Sequence, residues 1–306
     1  IIVGIIVAVW VAFHWLAQLG NDPDGYLRAL RRQTEGRWQA ALNLANDLRG
    51  PGGAALKQDA SLASSLAGIL AEEAASGRPT AAGYGGEQSR ALCEYLCRAL
   101  GEFAVPEAAA ALVARAADEG DPRTARAAVE AIAVLATNLE AAGRGFGDPA
   151  AVTAAVLGAS RAADAGLRSA AAFSLGVLGG DEAAERLVAL AADAAEDVRF
   201  NAATALARLG RPEAWQVLGE MLAMPDVPDT EPNDAARSGR YRRALIVVNA
   251  LKAVGLVVDS SREPPPEAVA AAVTALTADP VADIRAAAVA LSGKFDRVAV
   301  PAAGTR

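Results

Sequence analysis

The chain of 306 residues carries a formal net charge of −7, has only 5% aromatic residues, and is about a quarter alanine. The acidic balance speaks against binding to nucleic-acid phosphates, which requires clustered positive charge. Few large side chains and abundant alanine, the strongest intrinsic helix former, imply thin layers of closely approaching helices and an all-α fold.

Residues Ile1 to Leu19 contain no Asp, Glu, Lys or Arg. At 1.5 Å per residue they span roughly 28 Å, close to the hydrocarbon thickness of a bilayer. Trp10 and Trp15 suit an interfacial position. A transmembrane anchor is expected over 1–19, with a cleaved signal peptide and a buried core helix as the alternatives. Gln18, Gly20, Asn21 and Asp22 stand where a small-x-small cleavage site would be needed. Arg28, Arg31, Arg32 and Arg37 follow the span and favour a cytoplasmic C-terminal part. Gly4, Ala8 and Ala12 form a small-residue ladder of the kind that pairs membrane helices.

A linker over 20–25 leads into a helical array expected over 26–296, with a tail at 297–306. Tyr26–Gln33 and Trp38–Ala45 read as the first pair, stopped by Gly50-Pro51-Gly52-Gly53. A helix near Leu56–Ala75, a loop from Ser76 to Gly86, and a helix from Glu87 to Phe103 follow. Cys93 and Cys97 lie four apart on that helix and read as small buried residues, since zinc needs about four ligands. Pro106, Pro122, Pro149, Pro212 and Pro265 fall near helix starts. Gly101, Gly179, Gly210 and Gly255 fall where helices are expected to have just ended.

A repeat emerges further on. Arg168 is followed by Ala171, Ala172 and Leu175, and Arg199 by Ala202, Ala203 and Leu206. In the same register Leu135, Leu178, Leu209 and Val254 close successive second helices. Ala128, Ala171, Ala202 and Val247 share one site, while Ala125 and Ala244 stand where the arginine would be. The unit Asp283-Ile284-Arg285-Ala286-Ala287-Ala288-Val289-Ala290-Leu291 keeps the pattern, shortened by one residue. One helical pair cannot cover its own apolar stripe, so such units stack into a solenoid, here of about seven pairs. Asp197 and Asp283 suit helix starts, and Arg199 and Arg285 suit a clamp onto a neighbouring unit's acid.

At these residues the chain resembles the HEAT-repeat family, in the short-repeat form noted in phycobilisome lyases. Tyr26-Leu27-x-x-Leu30 and Arg37-Trp38-Gln39-Ala40-Ala41 also resemble the opening of membrane-anchored bacterial HEAT-repeat proteins. The resemblance implies antiparallel helix pairs stacked as a right-handed superhelix, with second helices lining a concave surface.

No catalytic, cofactor-binding or metal-ligating residue is expected. His14, the only histidine, lies in the apolar span, so histidine-dependent triads are excluded from the rest of the chain. Gly143-Arg144-Gly145-Phe146-Gly147 follows no strand and leads into no Gly-Lys-Ser/Thr, so it bridges two helices. Met224 to Arg240 reads as an acidic, proline-rich insertion. Pro225, Pro228 and Pro232 exclude helix there, and Asp226, Asp229, Glu231 and Asp234 project charge. The function expected is a non-enzymatic, membrane-tethered scaffold for protein partners, binding neither nucleic acid nor a small-molecule substrate. Arg37, Arg90, Arg168 and Arg199 are the candidates at the front of the second-helix groove, and the four loop acids are the others. The alternatives are a bilin-lyase-type enzyme or enzyme subunit and a structural subunit of an envelope complex.

Overall fold

The computed structural model describes residues 23–32, 34, 36–118, 120–226 and 234–299, with the side chains of 234–237 and 296–299 left aside. The expected anchor over 1–19, the first half of the expected linker and the end of the tail lie outside the described residues, and helix already begins at Pro23, inside the expected linker. Within them there are fourteen α-helices, a few short 3-10 turns and no strand.

The chain divides into two compact units, one ending at Leu178 and one beginning at Gly179. The first holds four helical pairs: α1 (Pro23–Arg31) with α2 (Arg37–Arg49), α3 (Ala60–Ala75) with α4 (Tyr84–Gly101), α5 (Ala109–Ala116) with α6 (Pro122–Ala141), and α7 (Pro149–Ala159) with α8 (Ala165–Leu178). The second holds three: α9 (Asp181–Leu190) with α10 (Glu196–Arg208), α11 (Trp215–Leu222) with α12 (Asp234–Ser261), and α13 (Glu267–Leu276) with α14 (Ala282–Ala299). In the first unit, second helices pack on second helices (α2 on α4, α4 on α6, α6 on α8) and first on first. In the second unit α10 packs on α12, α12 on α14 and α11 on α13. The fold is an all-α solenoid of seven described pairs.

Register explains the packing. Ala128, Ala171, Ala202 and Val247 are all fully buried, as their shared site requires, and Leu135 and Val254 are buried with them. Alanine at three of these four sites takes little room in the packed interior. Helix starts are set by Asp59, Asp121 and Asp148, whose carboxylates accept the Leu62, Thr124 and Ala151 amides at 2.9, 3.2 and 3.0 Å. Pro122 and Pro149 are the first helical residues after two of these caps. Pro106-Glu107-Ala108 and Pro212-Glu213-Ala214 each form a 3-10 turn that opens a first helix.

Several boundaries differ from expectation. The helix placed at 56–75 begins at Ala60, after a 3-10 turn at Leu56–Gln58, because Asp59 caps it. The helix expected from Glu87 begins at Tyr84. The insertion is shorter than expected, since helix resumes at Asp234 once Pro232, the last proline, is passed. Gly101 is not a residue beyond a helix end but the last of α4. A Cβ there would lie 2.9 Å from Ala131 Cα, so glycine is what lets α4 and α6 touch. Gly255 lies within α12, where no proline stops the helix and a glycine costs only about 1 kcal/mol.

Gly179 and Gly210 do take the left-handed conformation of a helix stop, with φ of 69° and 68°. At Gly210 a Cβ would also lie 2.1 Å from Ser260 Oγ. Gly210→Ala is therefore expected to destabilise the chain by at least about 1 kcal/mol, read as a lower denaturation midpoint.

Helix α12 is long and apolar enough over Ser238–Ser261 to cross a membrane. Its packing accounts for the same composition, because Val247, Ala250, Leu251, Val254, Val257 and Val258 are buried against neighbouring helices.

Candidate functional site

The repeated arginines close the turn inside three of the helical pairs. Arg168 Nη1 donates to the Ala162 and Ala163 carbonyls at 3.0 and 2.8 Å. Arg199 Nη1 does the same to Asp193 and Ala194 at 3.0 and 3.2 Å, and Arg285 Nη1 to Asp279 and Pro280 at 2.5 and 3.3 Å. These carbonyls stand at the end of the preceding turn, where backbone acceptors lack helical partners. An aspartate stiffens the same turn. Asp164, Asp193 and Asp279 accept the Leu167, Ala195 and Val281 amides at 2.7, 2.9 and 2.9 Å. The sequence signal for this was present but overlooked: Asp193-x-x-x-Asp197-x-Arg199 and Asp279-x-x-x-Asp283-x-Arg285 share one spacing.

The clamp to a neighbouring unit holds for Arg199, whose guanidinium pairs with Glu220 on α11. Arg285, in the final pair, is instead held by its own turn. Asp197 lies in the first turn of α10 without capping it, and with Glu196 it receives Arg242 from α12.

Arg37 is turned inward, which removes it from the accessible groove edge where it was expected. Its side chain is 11% exposed, its Nε donates to the Leu30 carbonyl at 2.6 Å, and its Nη1 lies 2.7 Å from Glu73. Glu73 on α3, 1% exposed, also takes Arg78 (Nε at 3.0 Å, Nη2 at 2.5 Å) and the Ser89 hydroxyl. Burial alone would raise the Glu73 pKa, but the hydrogen bonds from Arg78, Ser89 and Arg37 outweigh it and hold the carboxyl down at about 2. The cluster borders a cleft of about 170 Å³ beside Trp38 and Gln88. A carboxylate so strongly held exchanges no proton near neutrality, so the cluster is a tie between α2, α3 and α4. Polar residues in helical sequence gave no hint that these four would meet.

Arg90 donates to the Pro79 carbonyl at 2.8 Å and pairs with Glu87. Asp226 stands 3.9 Å from Arg243 with half its side chain exposed. Asp229 and Glu231 lie outside the described residues, as does the side chain of Asp234, which begins α12. Each described candidate thus has its own local partner, and they do not gather into one site.

The cysteines are buried thiols. Cys93 is pushed up to about 12 by burial and by the Glu73 charge, and Cys97 is raised further by burial and by Cys93. Neither supplies a thiolate at neutral pH. Among the described residues no group of three His, Cys, Asp or Glu side chains is placed to hold a metal ion.

What sequence reasoning missed is where apolar surface remains. Of the eight large apolar side chains left exposed among the described residues, seven lie on second helices: Tyr84, Val134, Phe173, Tyr241, Leu245, Leu256 and Val289. Only Val188 lies on a first helix. Val188 apart, first helices meet water with polar, small or partly covered residues, whereas second helices retain exposed aromatic and branched side chains.

Antiparallel helical pairs joined by Asp- and Arg-braced turns define an α-solenoid repeat protein. Residues 152–231 match the family of HEAT repeats. No curated relative matches it. Among solved structures it is similar to YibA of E. coli at 15% identity, covering 92% of this chain and 96% of that one with a TM-score of 0.45. Human deoxyhypusine hydroxylase in complex with glycerol matches at 19% identity, over 91% and 97%, with a TM-score of 0.34. A designed armadillo repeat protein in complex with the peptide (KR)4 matches at 17%, over 83% and 99%, with a TM-score of 0.36. At these scores the likenesses carry no argument about activity or partners. The HEAT-repeat architecture itself is consistent with a protein-binding scaffold.

Proposed function

We propose that this protein is a non-enzymatic scaffold that binds protein partners along its second helices and is tethered to a membrane by residues 1–19. The observation that carries the reading is the concentration of exposed large apolar side chains on second helices, against a single one on a first helix. Apolar surface grouped on one set of elements is what partner-binding faces retain. The buried, proton-holding thiols of Cys93 and Cys97 support the non-enzymatic part. The uncharged run at 1–19 supports the tether, and Arg28, Arg31, Arg32 and Arg37 after it support a cytoplasmic solenoid. Confinement to the membrane plane raises the effective concentration of partners already there.

Photo-crosslinking groups placed at Phe173 and Val134 in intact membranes should capture the same protein species, identified by mass spectrometry, while a group at Val188 captures none of it. Equal capture from both kinds of helix would refute the scaffold face. Alkaline carbonate should leave the full chain in the membrane pellet and release a form lacking 1–22. Full release of the intact chain would refute the tether.

A further inference from the structure

Between α12 and α14 runs an open apolar groove of about 590 Å³. It is lined by the buried Leu251, Gly255 and Leu291, with Ala287, Leu256 and Ala290 more exposed. Three charges stand at its rim: Lys252, Asp259 and Lys294. Lys294 is committed to Asp259 at 2.5 Å. Lys252 is exposed and has no hydrogen-bond or ion-pair partner among the described residues.

Two further features mark the groove as built for an occupant. Gly255 is buried in mid-helix, where glycine is unfavourable, yet a Cβ there would meet Leu291 Cδ1 only at 3.6 Å, an ordinary contact. The chain's own packing does not require glycine at this position; what glycine preserves is the depth of the groove. On the same face of α12, Tyr241, Leu245, Lys252 and Leu256 follow at spacings of four, seven and four, which keeps them in one stripe. Tyr241, Leu245 and Leu256 are 72%, 51% and 46% exposed, and Val289 on α14 is 55% exposed.

We infer that this groove binds an amphipathic helix of a partner protein, one presenting an aliphatic ridge flanked by a carboxylate. This inference rests on the scaffold reading above and names its partner class. The ridge lies over Gly255, Ala287 and Ala290, and the carboxylate pairs with Lys252. The groove is open along its length, and residues 251–259 extend about 12 Å, roughly two helical turns, which suits a helix better than an enclosed small molecule. An anionic bilayer would call for several uncommitted cations. Here Lys294 is neutralised by Asp259, and Arg242 by Glu196 and Asp197.

The test uses the full chain in nanodiscs of zwitterionic lipid. The probes are two fluorescein-labelled synthetic helices of about sixteen residues, alike except that glutamate or lysine flanks a leucine ridge. In anisotropy titrations the glutamate helix should bind saturably, about threefold to fivefold tighter than the lysine helix. Lys252→Glu should reverse that preference. Ala290→Trp, at an exposed position lining the groove, should weaken both helices at least about tenfold. Circular dichroism confirms folding of each variant, and Leu256→Ser takes the place of Ala290→Trp if the latter fails to fold. Absent binding, or binding that these variants leave unchanged, overturns the proposal. So does an environment-sensitive label at Ala290→Cys that responds to added phosphatidylserine and not to the glutamate helix. Crosslinking at Phe173 and Val134 does not pass through this groove, so the scaffold reading stands or falls separately.

Discussion

Replacing Glu73 with glutamine is expected to cost about 3 kcal/mol of stability at neutral pH and to lower the thermal midpoint by roughly 6–12 °C. Glu73 receives two guanidiniums and a hydroxyl, and Arg37 is nearly as enclosed as the carboxylate it pairs with. An amide in its place leaves the Arg37 charge buried without a counter-charge, which is the costly way to break such a pair. The pH dependence follows from the same geometry. The folded carboxyl is held at about 2 against an ordinary value of 4.5, so its contribution is complete above the unfolded pKa. It fades as pH falls from about 4.5 toward 2, where the folded form also takes up the proton. Wild-type protein should therefore lose about 3 kcal/mol across that window, a loss that Glu73→Gln does not show. Denaturation curves recorded for both proteins at several pH values decide the matter. Parallel acid profiles would mean that Glu73 carries no such charge.

The acid step should be local. Glu73 joins α2, the turn at Arg78–Thr80 and α4, so protection from hydrogen exchange should fall first in α2 and α3 when the carboxylate is lost. Glu102, buried and bonded to Arg49 and Lys57, gives the adjoining segment a second anchor. Two buried carboxylates near one end of an alanine-rich stack supply the directional ties that alanine contacts lack.

Much of this architecture was legible in the sequence, and for a definite reason. In a stack of like pairs, one position per unit meets the same surroundings each time, so the recurrence of Ala128, Ala171, Ala202 and Val247 marked the buried seam. The starts at Pro122 and Pro149 were legible because a missing amide has a local consequence. Contacts between units were less legible. The Glu73 cluster depends on how α2, α3 and α4 are offset, which no local pattern encodes. Gly255 misled because a glycine after an apolar run usually ends a helix, and only the uninterrupted continuation of α12 shows otherwise. The exposed apolar stripe of α12 was hidden for a related reason: a long helix buried on one side is apolar nearly all round, so periodicity marks no outer face.

Asp279→Asn should destabilise the second unit by about 3 kcal/mol, with faster hydrogen exchange in α12 to α14. The register left Ala244 where other units carry the repeated arginine, and the residue before it, Arg243, provides a guanidinium in its stead. Arg243 and Asp279 form a buried pair, with side chains 6% and 4% exposed, joined at 2.6 and 3.3 Å. Arg243 Nε also donates to the Met224 carbonyl at 3.1 Å, pinning the start of the acidic insertion to α12. Burial alone would raise the Asp279 pKa, but hydrogen bonds from Arg243 and the Val281 amide lower it on balance. Asparagine keeps the bond to the Val281 amide but turns an amide donor toward Arg243 Nη2, so its effect reports the ion pair together with the hydrogen bond it contains. Arg243→Met strands Asp279 instead and should cost a similar amount. The double variant should be less destabilised than the sum by about 2 kcal/mol, because neither partner is then left buried alone. Additive losses in that cycle would show that the two residues act independently, and the insertion would then need another anchor.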